Sequence, residues 1–128
     1  MIYHYIVLVS WMIFMHVFAD FCLQGILANL KQRSWWEQNC PDEMYKDDYM
    51  IALVLHSFSW AFCIQLPILI YTWGNINWVY AVMLLVNTFI HELVDNLKAN
   101  EKRIDLTTDQ FIHIAQVIVT ATIFDIVY

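Results

Sequence analysis

The sequence predicts an all-α fold: a four-helix transmembrane bundle forming a single integral membrane domain over residues 1–128. Three observations predict it. The composition is 61% hydrophobic and only 14% charged, with a mean hydropathy of +0.54, whereas a soluble domain carries about 45–50% apolar and about 25% charged residues. Long stretches lack any Asp, Glu, Lys or Arg: Met1–Ala19, Tyr49–His91 and Gln110–Phe124. All 6 Lys and Arg residues fall in two of the connections between these stretches. With 2 Gly and 2 Pro, a collagen-like or disordered chain is excluded. The net charge of −6 argues against nucleic acid as a partner, because phosphate-backbone binding needs clustered cations.

A hydrocarbon core about 30 Å thick takes about 20 helical residues. The first span is read over residues 2–23. It has no basic leader and no small-residue cleavage site after it, so it reads as a span and not as a signal peptide. Residues 24–49 form the one long connection. Within it, Gly25–Gln38 mixes Ile26, Leu27, Leu30 and Trp35 with Lys31, Arg33 and Glu37, which predicts an amphipathic interfacial helix. The stretch with Asp42, Glu43, Asp47 and Asp48 reads as an acidic solvated loop. The charge-free run from Tyr49 is too long for one span and suits two, residues 50–72 and 76–97. They divide at Trp73-Gly74-Asn75-Ile76-Asn77-Trp78, a turn signal between interfacial tryptophans. Pro67 is placed to kink the second span. The last span covers residues 106–128, and Thr107 with Gln110 resembles a capping box at its start.

Lys31, Arg33 and Lys46 lie in the first connection, and Lys98, Lys102 and Arg103 in the third. Four spans put both connections on one side. The positive-inside rule makes that side cytoplasmic and places both termini outside. Cys22, Cys40 and Cys63 are odd in number and widely spaced, so neither a disulfide framework nor a thiolate metal site is indicated.

The informative residues are those a membrane span should lack. An ionisable side chain at a helix centre costs about 2.5–3.5 kcal/mol on insertion scales, yet the spans keep His16, Asp20, His56, His91, Glu92, Asp95, Asp109 and His113. His16/Asp20 and His91/Asp95 are spaced i,i+4, and Asp109/His113 is the same pair reversed, so each pair shares one helix face. The reversal follows the opposite direction of the last span. From the helical rise, all four spans place a histidine in one layer about 10 Å below the cytoplasmic surface. Glu92 points about 100° away from His91 and is expected outside the cluster. His4, near the outer end, is read as an interfacial residue.

Imidazole and carboxylate are the nitrogen and oxygen ligands of first-row metals. The predicted ligands are His16, Asp20, His56, His91, Asp95, Asp109 and His113, around one or two divalent transition-metal ions, zinc first and iron or manganese as alternatives. Seven donors exceed the need of one ion, which leaves a carboxylate, Asp20 or Asp109, to act as a catalytic base. Gln24, Asn87, Lys98 and Gln110 are expected to hydrogen-bond or pair with the ligands from behind.

The ordered set His16-x-x-x-Asp20-Phe21-x-Leu23-Gln24, a lone His56, His91-x-x-x-Asp95-x-x-Lys98 and Asp109-Gln110-x-x-His113 resembles domain-of-unknown-function family 3307. That family comprises small bacterial and phage membrane proteins. The resemblance covers nearly the whole chain. It implies a four-span helical protein of the bacterial inner membrane and brings no activity with it.

The expected function is a metal-dependent hydrolase acting on a lipid or lipid-linked substrate near the cytoplasmic leaflet. Membrane lipid is then the partner, alone or with a homo-oligomer. Two alternatives use the same residues. One is a carrier or channel for metal ions or protons. The other is a non-enzymatic bacterial or phage protein that binds another membrane protein, with Trp35, Trp36 and the acidic loop as its contact surface and the metal as a staple. No nucleophile-elbow serine and no Gly-rich phosphate loop competes with these readings.

Overall fold

The computed structural model describes residues 2–128, and among them every regular element is helical. Helix α1 runs over Ile2–Phe18 and continues into a π-helical turn, Ala19–Leu23, so the first span covers Ile2–Leu23. Two short helices follow, α2 (Leu27–Leu30) and α3 (Arg33–Asn39), and then a single 3₁₀ turn at Glu43–Tyr45. The remaining long helices are α4 (Asp48–Tyr71), α5 (Trp78–Ala99) and α6 (Leu106–Val127). The four long segments are each long and apolar enough to cross a membrane. Around the bundle, α1 packs on α4, α4 on α5, α5 on α6, and α6 closes back on α1.

Local chemistry explains where the helices stop. The C-terminus of α4 is a Schellman-type cap: the Gly74 N–H donates to the Leu69 carbonyl (2.9 Å) and the Trp73 N–H to the Ile70 carbonyl (3.1 Å). The cap needs left-handed backbone, and Trp73 (φ 53°) and Gly74 (φ 77°) supply it. Asn77 then caps α5 by accepting from the Val79 N–H at 2.9 Å. The predicted capping box on α6 is replaced. Asp105 is the N-cap and accepts from the Thr108 N–H at 2.8 Å, which frees the Gln110 side chain for the bundle interior. Pro67 sits inside α4 without ending it.

The bundle has an apolar half and a polar half. Toward the chain termini, Met12, Trp60, Ala61, Ile64, Ile68, Val117, Ala121 and Phe124 form a closed core. Outward-facing positions carry Trp11, Phe14, Phe58, Leu85, Phe89 and Val119, all exposed. That inversion suits lipid as the solvent, where helices associate through packing and internal hydrogen bonds. Toward the connection end the core turns polar.

The connection after α1 departs from the expected surface helix. It breaks at Gln32, which is extended (φ −98°, ψ 122°), into α2 and α3. The break turns Lys31 into the bundle, where it is buried. The fold back is held by Asn100, whose amide donates to the Lys31 carbonyl (3.1 Å) and whose oxygen accepts from the Arg33 N–H (2.7 Å). The Trp36 indole donates to the Leu30 carbonyl at 2.7 Å. Lys31 therefore belongs to the interior and not to an interfacial face, because a buried carboxylate awaits it there.

Candidate metal centre

The polar layer is built from all four long helices and α2. His56 comes from α4, His91 and Asp95 from α5, Asp109 and His113 from α6, His16 from α1, and Asp20 from the π turn that follows it. All seven are buried. The π turn inserts one residue into the ladder just where Asp20 must face inward, a local distortion of the kind found at functional sites. The Gln24 amide donates back to the Asp20 carbonyl and supports that turn.

His91 is the hub. Its Nε2 lies 3.2 Å from His56 Nε2, and its Nδ1 lies 3.2 Å from His113 Nδ1. Its ring stacks on the Trp60 indole, with centroids 4.1 Å apart and planes at 17°. Asp20 Oδ1 faces both His56 Nε2 (3.6 Å) and His91 Nε2 (3.7 Å). Asp95 Oδ2 lies 3.2 Å from His56 Nε2, and Asp95 Oδ1 lies 3.7 Å from His113 Nε2. Two triplets are compact enough to hold an ion, each with its ligand atoms within 4.8 Å of one another: Asp20–His56–His91 and His91–Asp95–His113.

Hydrogen bonds from outside the triplets set proton positions. The Gln116 amide nitrogen donates to the Asn87 carbonyl and side-chain oxygens, both at 3.3 Å, so its oxygen faces His113 Nδ1 at 3.0 Å. An acceptor at that atom puts a ring proton on Nδ1, so in the neutral ring Nε2 carries the lone pair. Asn87 is in turn held by the Thr120 hydroxyl at 2.9 Å. The bare Nε2 lies 3.4 Å from Asp109 Oδ1 and makes no hydrogen bond. Asp109 Oδ1 and Asp95 Oδ1 are likewise buried without a hydrogen-bond partner. With His113 neutral, three buried acceptor atoms converge without a hydrogen-bond donor, the Lys98 ammonium standing off at 3.7 Å from Asp95 Oδ1. Leaving such atoms unpaired is expensive, and a cation could pair with all three.

His16 has a different place. Its Nδ1 accepts from the Trp60 indole N–H (2.9 Å), and its Nε2 faces the Gln110 side-chain oxygen (3.1 Å). Indole nitrogen only donates, so Nε2 carries the ring proton and gives it to Gln110. The Gln110 amide then donates to Asp109 Oδ2 (3.0 Å) and Asp20 Oδ2 (3.2 Å). Both His16 nitrogens are engaged, so it orients two carboxylates through Gln110 and stands outside both triplets. Of the four residues expected to support the ligands, Gln110 does so from this position. Gln24 acts through the Asp20 backbone and Asn87 through Gln116. Lys98 touches ligands directly, with Nζ 2.7 Å from Asp109 Oδ2 and 3.7 Å from Asp95 Oδ1. Glu92 is half-exposed and outside the cluster.

Sequence reasoning missed Lys31, Trp60, Gln116 and Thr120. Lys31 Nζ lies 2.6 Å from Asp95 Oδ2. Trp60 follows His56 by four residues and Gln116 follows His113 by three, so helical spacing carried a signal for both. Nothing local marked Lys31, because its role depends on the chain break at Gln32. With the four imidazoles neutral, the charges in the layer are three carboxylates (Asp20, Asp95, Asp109) and two ammonium groups (Lys31, Lys98), which leaves one negative charge uncompensated. No family model, curated protein or solved structure matches this chain.

Proposed function

We propose that the polar layer binds a divalent transition-metal ion, zinc first, and that the protein is a membrane-embedded hydrolase acting on a lipid or lipid-linked substrate near the cytoplasmic leaflet. The observation that carries the reading is the convergence of Asp95 Oδ1, Asp109 Oδ1 and His113 Nε2, all buried and all without a hydrogen-bond partner. The proposed ion lies on His91, Asp95 and His113, with Asp109 beside it and the Asp20–His56 pair on its far side. Three protein ligands with a position left open is the pattern of catalytic rather than structural zinc. Such an ion, when bound, brings the pKa of a water toward 7 and polarises an ester or phosphoryl oxygen.

The rest of the work falls to the chain. Asp20 is the proposed base. It lies at the edge of the ligand set, on the π turn, with Oδ2 held by Gln110 and Oδ1 turned toward His56 and His91. Asp109, the other candidate base, is paired with the Lys98 ammonium at 2.7 Å, which suits it to hold charge rather than to accept a proton. His56 bridges Asp20 and Asp95 and can pass a proton between them. Trp60 and the apolar core above it close the layer from the terminal half of the bundle. That closure counts against a carrier or channel, which would need a path through Ile64, Ile68 and Phe124. The resemblance to family 3307 rests on motif order alone and adds no activity.

Elemental analysis of the purified full chain in detergent tests the metal. A divalent ion near stoichiometric amounts, lost in His91→Ala and His113→Ala, is the expected result. Metal at background level in the wild type removes the proposal.

A further inference from the structure

We propose that the substrate group bound by this layer is a phosphate ester, held beside the ion by Lys31 and Lys98; the proposal rests on the metal reading above. Each ammonium group pairs with a carboxylate of the layer, Lys31 with Asp95 and Lys98 with Asp109 at 2.7 Å, and Lys98 also comes within reach of Asp95. Lys31 Nζ meets Asp95 Oδ2 at 2.6 Å and Lys98 Nζ lies 3.7 Å from Asp95 Oδ1. They reach it from two separate elements, α2 and the end of α5. The pair therefore brackets the carboxylate that also faces His56 and His113.

Charge selects the ligand. Three carboxylates and two ammonium groups sum to one negative charge, and a divalent ion turns the layer to one positive charge. A buried net charge is strongly disfavoured, so the loaded site calls for an anion. A neutral carboxylic ester or amide does not supply one, whereas a phosphate ester does. Two cationic side chains beside a metal ion are also the means by which charge on a transferring phosphoryl group is stabilised.

Access agrees with this direction. His91 and His113 are fully buried, the Lys31 side chain is 9% exposed and the Lys98 side chain 27%. Of these groups Lys98, at the connection end of the bundle, is the nearest to the surface. Lys31 is brought there by the fold-back that Asn100 clamps on both sides. In the reaction, the oxygen of water bonds to phosphorus and the P–O bond to the lipid alcohol breaks. The proton that Asp20 removes from water goes to the departing alcohol oxygen. Water is the only co-reactant.

The test uses the zinc-loaded full chain in nanodiscs. One arm titrates inorganic phosphate calorimetrically. The other offers phosphatidylcholine vesicles with phosphatidate or with neutral diacylglycerol and follows phosphate release by phosphorus NMR and fatty-acid release by carbon NMR. Expected are phosphate binding that needs the metal and release of phosphate from phosphatidate, with the neutral ester untouched. Compared at equal metal loading, Lys31→Met and Lys98→Met each weaken phosphate binding about 10- to 100-fold, and Lys98→Arg restores binding. Binding of inorganic phosphate with phosphatidate left intact supports the anion site and assigns it to free phosphate. A metal-loaded wild-type protein that binds neither form overturns the proposal while the metal reading stands. Failure to load metal at all overturns both. Because the wild-type arms need no variant, misfolding of a lysine mutant cannot shield the proposal.

Discussion

The two halves of the bundle solve opposite problems with the same four helices. The terminal half is held by shape: Met12, Ile64, Ile68, Val117 and Ala121 fill the interior, and none offers a polar side-chain atom. The connection half is held by direction: its buried side chains carry donors and acceptors, and Gln110 and Gln116 orient the imidazoles and carboxylates beside them. The apolar half tolerates any substitution that keeps volume. The polar half tolerates few, because each removed group strands another. The terminal half has no atom left wanting a ligand, apart from the buried Tyr80 hydroxyl, whereas the connection half has three in contact distance.

The contrast can be broken most sharply at Asp95. Asp95→Ala strands the buried Lys31 ammonium, and removing one partner of a buried pair costs about 3–5 kcal/mol. We expect loss of folded protein in a detergent unfolding assay and recovery in the double variant Asp95→Ala/Lys31→Met. No recovery would show that the pair is not the source of the loss. In the other half, Ile64→Ala should cost about 2–5 kcal/mol by leaving a cavity, while the metal content of the surviving protein stays unchanged. A loss of metal there would mean that the two halves are not separable.

Smaller effects sharpen the division within the polar half. Gln116→Leu removes the acceptor at His113 Nδ1. Metal affinity should fall about 10- to 100-fold, as for other residues that orient a ligand from behind, and Gln116→Glu should retain most of it. Equal affinities across the three proteins would remove Gln116 from the site. Trp60→Phe keeps a ring beneath His91 but removes the indole donor to His16. The expected loss is about 1–3 kcal/mol of stability from an unpaired buried nitrogen, read by thermal unfolding. A wild-type melting curve would mean that the ring alone suffices.

The smallest effect lies outside the layer. The Thr108 backbone N–H holds the exposed Asp105 carboxyl below the usual carboxylate range. Its folded-state pKa is depressed, so its contribution to stability is present above the unfolded value and is lost as pH falls through the folded one. Asp105→Asn, which keeps the capping oxygen, should flatten that acid-side decline in a pH series of melting temperatures. An unchanged slope would assign the decline to other groups.

The long helices were legible in the residues because a bilayer demands length and apolarity, and charge-free runs announce both. The same logic exposed the layer: an ionisable residue in a span is conspicuous, and i,i+4 spacing showed which pairs share a face. Legibility stopped where meaning depended on another segment. His16 and His113 look alike as letters. The indole N–H of Trp60 engages the second nitrogen of one, and the side-chain carbonyl of Gln116 takes only Nδ1 of the other, which leaves its Nε2 facing the carboxylates.

By itself, the sequence determined that this chain forms four apolar helices carrying His and Asp at one level, since both properties follow from periodicity along a single strand of chain. Only the tertiary structure decided which of those side chains retain free electron pairs, and that Lys31 belongs among them. Those outcomes depend on donors and acceptors reaching across from other helices, and on a break at Gln32 whose consequence is felt only at Asp95.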